Sequence, residues 1–413
     1  MIELVKNDTK LVIILVGLPA RGKSYISKKI SRYFNWIGYM SKIFNVGNYR
    51  RNYFENTFND NNFFDSQNLE ARKLRDSFAM QVLEDLIKWI NNDNKTIAIF
   101  DATNTTKCRR KMVHDRLNEE DCQIIYVESI CDNDEIIERN MKMKLENKDY
   151  KNIPFDLALE DFKKRLLHYK KVYERIDNNE NFSYIKITNV QRSFQVHKIN
   201  EPLKYELCNF LMNININSGK FYLTRHGQSM DNKDCRIGGN SRLTEMGKKY
   251  SEKLFTHIYN CDDKIKTIFT STLKRTIETG KPFSKKYKII NKKLLDEINA
   301  GICDKMTYKE IDLIYPKISE DRKKDKFNFR YPYGESYSDI INRIKYFILE
   351  IERMDESVLI VTHTAVLRCI LGYFMDVPLK DIPYIDVPLH NIIKLEPISS
   401  NYKKEEKKID LKL

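Results

Sequence analysis

The chain has 413 residues, a formal net charge of +14 and 41% hydrophobic residues, a length that favours two or three domains, each able to bury a core. No apolar run approaches the roughly 20 residues needed to cross a bilayer, the N-terminus lacks a secretory-signal layout, and the eight cysteines form neither a C-x-x-C pair nor a Cys/His metal spacing. Reduced thiols in a cytoplasmic protein are therefore expected and a thiolate-held metal is not, while the basic balance fits nucleic acid, an anionic membrane surface or small anionic substrates, and equally a solvated surface rich in Lys and Asn.

About ten residues precede the first strand, so no long N-terminal regulatory arm is expected. LVIILV, residues 11–16, is an apolar, β-branched run of strand length. It leads into GLPARGKS, Gly17 to Ser24, and then a helical stretch from Lys23 to Asn35. A full G-x-x-x-x-G-K-[ST] motif with a strand before it and a helix after it is a nucleotide-binding loop in its required context. Gly17 and Gly22 let the backbone curl with its N–H groups toward phosphate oxygens, and the helix N-terminus adds a favourable dipole. Lys23 then neutralises the β and γ phosphates, and the Ser24 hydroxyl ligates Mg²⁺.

Strand-length runs recur at 42–46, 96–101, 123–130 and 184–190, between helical patterns at 67–91, 106–119, 134–145 and 155–176. This alternation predicts a mainly parallel sheet covered on both faces. Asp101, in TIAIFDATNTT, ends a strand on the edge where parallel α/β sheets bind ligands. It would hold the water shell of Mg²⁺ or orient an attacking hydroxyl, or merely cap the next helix. Arg50–Arg51, Arg109–Arg110 and Arg165, with Tyr169 one turn further on, read singly as solvated surface residues. Gathered near that edge, they would form a pocket for a phosphorylated acceptor.

NININSG, 213–219, is polar and Asn-rich and marks the expected linker, after which the pattern restarts. KFYLTRHG (220–227) is a strand into a loop, 243–260 a helix, 267–271 a strand and 272–280 a helix. A helix at 335–353, a strand at 358–363, a helix at 364–374 and a strand at 391–397 follow. The expected domains are 1–218 and 219–398, with a charged, mobile tail over 399–413. In the second domain His226 stands between Arg225 and Gly227 at a strand end, and His363 ends another strand. A neutral imidazole is a good nucleophile toward phosphorus, with Arg225 and Arg275 placed to stabilise the charge. Glu297, in LLDEINAG, is a candidate general acid. A lone strand-end histidine is usually structural; R-H-G, S-x-x-K-R-T, E-x-x-x-G and T-H in this order point to a phosphohistidine site.

The strings GLPARGK, NWIG, YRR, FDATNTT, ESIC, SYIKI, RIGG, MTY and GESY, in that order, resemble the bifunctional 6-phosphofructo-2-kinase/fructose-2,6-bisphosphatase family from about residue 11 to 397. The first half alone resembles a P-loop kinase, and the second resembles the phosphoglycerate-mutase-like histidine phosphatases, with a three-layer α/β/α domain. The resemblance implies that the first half makes fructose 2,6-bisphosphate from fructose 6-phosphate and ATP with Mg²⁺. Gly17, Leu18, Pro19, Ala20, Arg21, Gly22, Lys23, Ser24 and Tyr25 would cradle ATP, with Ser24 and Asp101 toward the metal. Asp101 and Cys131 occupy catalytic positions, although by its residue type Cys131 reads as a buried strand-end thiol. Lys144 would reach the transferring phosphate, and Arg50, Arg75, Thr103, Arg109, Arg165 and Tyr169 would bind fructose 6-phosphate.

For the second half the resemblance implies that His226 takes the 2-phosphoryl group, that Arg225, Arg275 and His363 hold its oxygens, and that Glu297 protonates the departing oxygen. Asn232 and Gly238 would line the site, and Tyr308, Arg322, Lys326, Tyr337 and Arg368 would grip the 6-phosphate. Gln228 and Thr364 stand where vertebrate members carry Glu and Gln, changes that would retune the site without removing a nucleophile or acid. The resemblance also implies a homodimer formed through the kinase half, with no nucleic acid and no membrane as partner. Other readings are a kinase with a silent phosphatase half, a nucleic-acid end-processing kinase–phosphatase, and a non-catalytic nucleotide-binding scaffold. The second of these requires a basic groove interleaved with aromatic residues, which the sequence lacks.

Overall fold

Six apolar residues in unbroken succession suit a strand covered on both faces. In the computed structural model of the chain all six side chains of β1 (Leu11–Val16) are buried. The structure describes residues 10–54, 61–145, 150, 153–190, 192–215, 219–398 and 400–411. Residues 216–218 of the expected linker lie outside these. The chain groups into two compact units, 1–34 with 39–214, and 35–38 with 215–413.

The first unit holds a six-stranded sheet in the order β2-β3-β1-β4-β5-β6. Its strands are β1, β2 (Ser41–Asn45), β3 (Ile97–Asp101), β4 (Gln123–Ile130), β5 (Tyr184–Thr188) and β6 (Ser193–His197). All neighbours are parallel except β5 and β6. The helices are α1 (Lys23–Trp36), α2 (Val46–Tyr53), α3 (Leu69–Ile90), α4 (Lys107–Leu117), α5 (Asp134–Leu145), α6 (Phe155–Val172) and α7 (Pro202–Met212). Side chains capping α2, α3 and α4 come from Asn45, Asn68 and Thr106, each accepting a backbone N–H that the helix leaves unpaired. One sheet face, through Val12, Ile14, Val16, Ala98 and Phe100, packs against Val82, Leu83, Leu86 and Ile90 of α3 and Val113 and Leu117 of α4. Parallel pairing brings the ends of β1, β2, β3 and β4 to one edge.

The second sheet has the order β12-β11-β7-β10-β8-β9. It comprises β7 (Phe221–Arg225), β8 (Ile265–Thr270), β9 (Lys288–Asn291), β10 (Ser357–Thr362), β11 (Asn391–Ile398) and β12 (Asn401–Lys408). The four strands β7 to β10 are parallel, and β11 and β12 add on antiparallel. The helices are α8 (Met230–Lys233), α9 (Glu245–Tyr259), α10 (Lys274–Gly280), α11 (Tyr308–Ile314), α12 (Pro316–Lys324), α13 (Tyr337–Glu352) and α14 (Thr364–Phe374). This is the expected pair of mainly parallel α/β domains.

Two differences stand out. Strand β6 carries mostly exposed side chains and has no apolar run to announce it. The tail expected to be mobile forms β12 instead, paired with β11 across eight residues. Its charged side chains face solvent, while Tyr402 is buried against Phe221 and Phe374, with ring centroids 5.9 and 4.7 Å away, and Ile409 is buried in the core. Lysine-rich edge strands discourage further pairing.

Candidate active sites

The nucleotide loop leaves β1 through Gly17, whose φ is +138°; a Cβ there would stand 2.5 Å from the Ser129 carbonyl oxygen. Only glycine allows this approach of the loop to β4. Gly17 N donates to Thr103 O at 2.9 Å, and Ser129 Oγ donates to Arg21 O at 2.5 Å. Asn140 of α5 donates to Ala20 O at 3.1 Å, and Arg21 to Pro19 O at 3.2 Å. Leu18 and Ala20 are buried against α5 and α6, in the cluster that Cys131 and Tyr169 flank. Tyr25 lies under the Lys29 ammonium at 5.2 Å.

Lys23, at the first position of α1, folds back to donate to Leu18 O at 2.7 Å. Burial lowers its pKa to about 7, partly offset by Asp101. Lys144, at the end of α5, donates to Ser24 Oγ at 3.5 Å, and burial lowers its pKa too. Asp101 is buried at the end of β3. A curled loop, the buried Lys23, the half-buried Lys144, a hydroxyl and a buried carboxylate come together at one edge, an arrangement whose charge and donors suit a triphosphate. The hydroxyl and carboxylate are hard oxygen donors of the kind Mg²⁺ takes. Cys131 follows β4, its Sγ 3.8 Å from Asn133 O.

Two of the arginines expected at an acceptor pocket share one ring. The Arg165 and Arg50 guanidinium carbons stand 3.8 and 5.1 Å from the centroid of Phe64, and Tyr169 stacks obliquely on it at 6.0 Å. Arg75 donates to Phe63 O and, at 3.5 Å, to Asp65 O. Arg109 pairs with Asp76, and burial lowers its pKa to about 10. Arg110, which reads singly as a solvated surface residue, does not join them. It is fully buried, forks onto Glu180 at 2.7 and 2.6 Å, and donates to Asn104 O and Glu174 O. Successive helical residues face apart, so Arg110 serves the frame. Phe64, Asp76 and Asn45 were not legible as site residues; Asn45 lies only five residues before Arg50.

In the second unit Gly227 packs backbone on backbone: a Cβ would stand 2.4 Å from Gly247 O. This pins His226. Its Nδ1 lies 2.7 Å from Gly227 O, and a carbonyl can only accept, so Nδ1 carries the proton and Nε2 keeps its lone pair. Arg275 Nε donates toward that Nε2 at 3.1 Å and toward His363 Nδ1 at 3.3 Å. His363 therefore donates from Nε2 to Ser271 Oγ at 2.7 Å. Burial first, then the Arg275 charge, holds both imidazoles well below the usual histidine pKa, so both are neutral at physiological pH. Arg275 also donates to Gly239 O at 2.7 Å, and Arg225 to Val387 O at 3.0 Å.

A cleft opens over this centre. Arg225, Arg236, Arg275, Arg322, Lys326 and Arg368 line it, against the single carboxylate of Glu297. So lopsided a charge lining suits a ligand with more than one phosphate. Glu297 accepts from the backbone N–H groups of Ile298, Thr364 and Ala365 at 3.0, 3.1 and 3.2 Å, the last two at the start of α14. Asn232, Gly238, Tyr308 and Tyr337 line the same cleft. Arg368 donates to Tyr337 Oη and Arg322 to Tyr308 Oη, each at 3.1 Å. Burial, with Arg368 and Arg322 nearby, lowers the Lys326 pKa to about 8. Thr364 lines the cleft, whereas Gln228 turns to Thr244, accepting at 2.9 Å. Tyr331 was missed, since neither a strand end nor a motif marks it; Arg236 opens the RIGG string and Ser271 the S-x-x-K-R-T string, yet neither was singled out as a site residue.

Residues 2–218 match the family 6-phosphofructo-2-kinase, and residues 221–409 match the histidine phosphatase superfamily (branch 1). A Caenorhabditis elegans protein named 6-phosphofructo-2-kinase/fructose-2,6-bisphosphatase is 43% identical over 394 residues, which cover 94% of this chain and 86% of that one. The Homo sapiens 6-phosphofructo-2-kinase/fructose-2,6-bisphosphatase 3 is 40% identical over 397 residues, 95% of this chain and 76% of that one. A Saccharomyces cerevisiae protein named fructose-2,6-bisphosphatase is 41% identical over 395 residues, 95% and 87% of the two chains.

Proposed function

The chain belongs to the 6-phosphofructo-2-kinase/fructose-2,6-bisphosphatase family, and from that premise we propose how its two sites divide the work. It is a bifunctional enzyme: the first half transfers a phosphoryl group from ATP to fructose 6-phosphate, and the second hydrolyses the fructose 2,6-bisphosphate formed. Opposed activities on one metabolite let their ratio set its level, and through it the balance of glycolysis and gluconeogenesis. The match of both halves along one chain carries this reading.

We assign residues 1–218 to the kinase and the chain from 219 onward, β12 included, to the phosphatase. In the kinase, Gly17 to Tyr25 hold the triphosphate, with Lys23 and Lys144 on its transferring end. Ser24 and Asp101 would hold Mg²⁺, which when bound neutralises phosphate charge. Asp101 orients the acceptor hydroxyl, Thr103, Arg50, Arg75, Arg109, Arg165 and Tyr169 hold fructose 6-phosphate, and Cys131 lines the site without acting as a nucleophile. In the phosphatase, the His226 Nε2 lone pair attacks the 2-phosphoryl phosphorus. The bond to the fructose oxygen breaks as Glu297 gives that oxygen a proton. Water, deprotonated by Glu297, then cleaves the phosphohistidine, releasing phosphate and neutral His226. Arg225, Arg275 and His363 steady the transferring oxygens. Tyr308, Arg322, Lys326, Tyr337 and Arg368 hold the 6-phosphate, and Asn232 and Gly238 border the sugar.

We read the protein as a cytoplasmic homodimer without nucleic-acid partners. The eight thiols are free and no helix among the described residues is long and apolar enough to cross a membrane. The functional test follows fructose 2,6-bisphosphate made from fructose 6-phosphate and MgATP by wild type and His226→Ala. Product rising to a higher plateau in His226→Ala is expected. Equal plateaus would leave a kinase alone, and no product from either would refute the assignment.

A further inference from the structure

Strands β2 and β3 end side by side, with Asn45 directly opposite Asp101 in the parallel register. Asn45 Nδ2 donates to Asp101 Oδ2 at 2.5 Å, and Asn45 Oδ1 accepts the Asn48 backbone N–H at 2.8 Å. The two partners fix the amide's orientation, because a flipped side chain would set oxygen against carboxylate and N–H against N–H. The second bond caps α2, which carries Arg50 on the Phe64 ring. A buried carboxylate is costly unless hydrogen-bonded, and Lys23 and Lys144 are close enough to be its electrostatic neighbours. Yet the two lysines donate to Leu18 O and Ser24 Oγ, while Asp101 takes an amide.

We propose that Asn45 is a positioning residue of the kinase: it orients Asp101 toward the acceptor hydroxyl and in the same stroke sets the helix that brings Arg50 to the sugar phosphate. The inference rests on the kinase reading of the first half. With one carboxylate oxygen held by the amide, the other is left for the acceptor and for the water shell of Mg²⁺, and both lysines stay available to the triphosphate. Asn45 thus ties the position of the reacting hydroxyl to the position of the acceptor's phosphate.

Asn45→Ser and Asn45→Asp separate the two bonds. Serine and aspartate cap a helix about as well as asparagine, so α2 and Arg50 stay in place. Neither supplies the N–H to Asp101, and aspartate faces it with a second carboxylate. In the full chain both variants are expected to lower kinase kcat about 10- to 100-fold, the span of a lost hydrogen bond to a charged group. The KM for fructose 6-phosphate should stay within about 3-fold, as should ATP affinity measured by calorimetry without magnesium. The phosphatase rate of the same preparation should be unchanged. Wild-type kcat in either variant would reduce Asn45 to a helix cap. A loss expressed only in the KM for fructose 6-phosphate, or joined by loss of ATP binding, would equally overturn the proposal. A wild-type chain that forms no fructose 2,6-bisphosphate would strike the kinase reading itself.

Discussion

Arg275 donates from Nε to His226 Nε2 at 3.1 Å, so the lone pair proposed to attack phosphorus already faces the guanidinium proposed to hold the phosphoryl oxygens. The same guanidinium reaches His363 and Gly239 O, a spread that a lysine ammonium, a point charge on a flexible stem, cannot reproduce. Arg275→Ala is expected to slow phosphate release about 10²- to 10³-fold, the usual cost of one preorganised charge at a transition state. Arg275→Lys should recover little of it. Single-turnover release of phosphate from fructose 2,6-bisphosphate measures both, and kinase activity in the same samples should hold.

Gly227 and Gly247 meet backbone to backbone, a Cβ on Gly227 falling 2.4 Å from Gly247 O and one on Gly247 falling 2.2 Å from Gln228 O. Carbonyl oxygens of the main chain cannot rotate aside, so Gly227→Ala must shift the loop that carries His226. Overpacking of this kind costs about 1–3 kcal/mol, and misplacement near 1 Å costs about 10²-fold in rate. Loss of phosphatase activity on that scale, with kinase activity within about 2-fold, is the expected pair of results. Gly247→Ala should behave alike; wild-type phosphatase rates in both would show that the contact does not hold the loop.

Much of this was legible because the chemistry sits at strand ends beside motifs. GLPARGKS, FDATN and TRHG each follow an apolar run, and a parallel sheet gathers such ends on one edge. What was not legible depends on tertiary partners. Arg109 and Arg110 look alike in sequence, yet one faces Asp76 at the acceptor pocket and the other forks onto Glu180 behind it. Strand β12 reads as a charged tail because pairing with β11 supplies its stability and Tyr402 alone of its side chains is buried, with Ile409 just beyond its end. Ser271, which fixes the tautomer of His363, opens the S-x-x-K-R-T string, but nothing in that string says that its hydroxyl meets a histidine 92 residues away.

Lys23 makes nucleotide binding a proton-coupled event. Burial puts its pKa at about 7 in the empty site, and a bound triphosphate must raise it. Above about pH 7 the free enzyme therefore lacks a proton that the complex holds, so binding takes one up and weakens as pH rises. Calorimetry in two buffers of different ionisation enthalpy, at a pH where the nucleotide's own phosphates no longer titrate, should show the uptake. Lys23→Arg keeps the charge without titrating and should abolish it; equal uptake in that variant would assign the proton elsewhere.

His226 and His363 also set how the phosphatase half responds to acid. Both are held neutral in the folded protein, chiefly by burial and next by the Arg275 charge, whereas unfolded histidine titrates near pH 6.5. Above about pH 6.5 neither state binds these protons and stability does not depend on them. Below it the unfolded chain takes up protons that the folded chain refuses, so stability falls with pH, by up to about 1.4 kcal/mol per unit for each histidine. The loss continues until the depressed folded pKa values are reached. His114, His257 and His390 are lowered as well, so the slope must be compared between proteins. Hydrogen exchange of peptides from β7 and β10 in urea, in the full chain between about pH 5 and 7, isolates the half concerned. His363→Gln should be less stable near neutrality, because a flexible amide replaces the packed imidazole that Arg275 and Ser271 hold between them, yet show a shallower acid slope than wild type. An unchanged slope would mean that His363 accepts a proton in the folded state, against its position between Arg275 and Ser271.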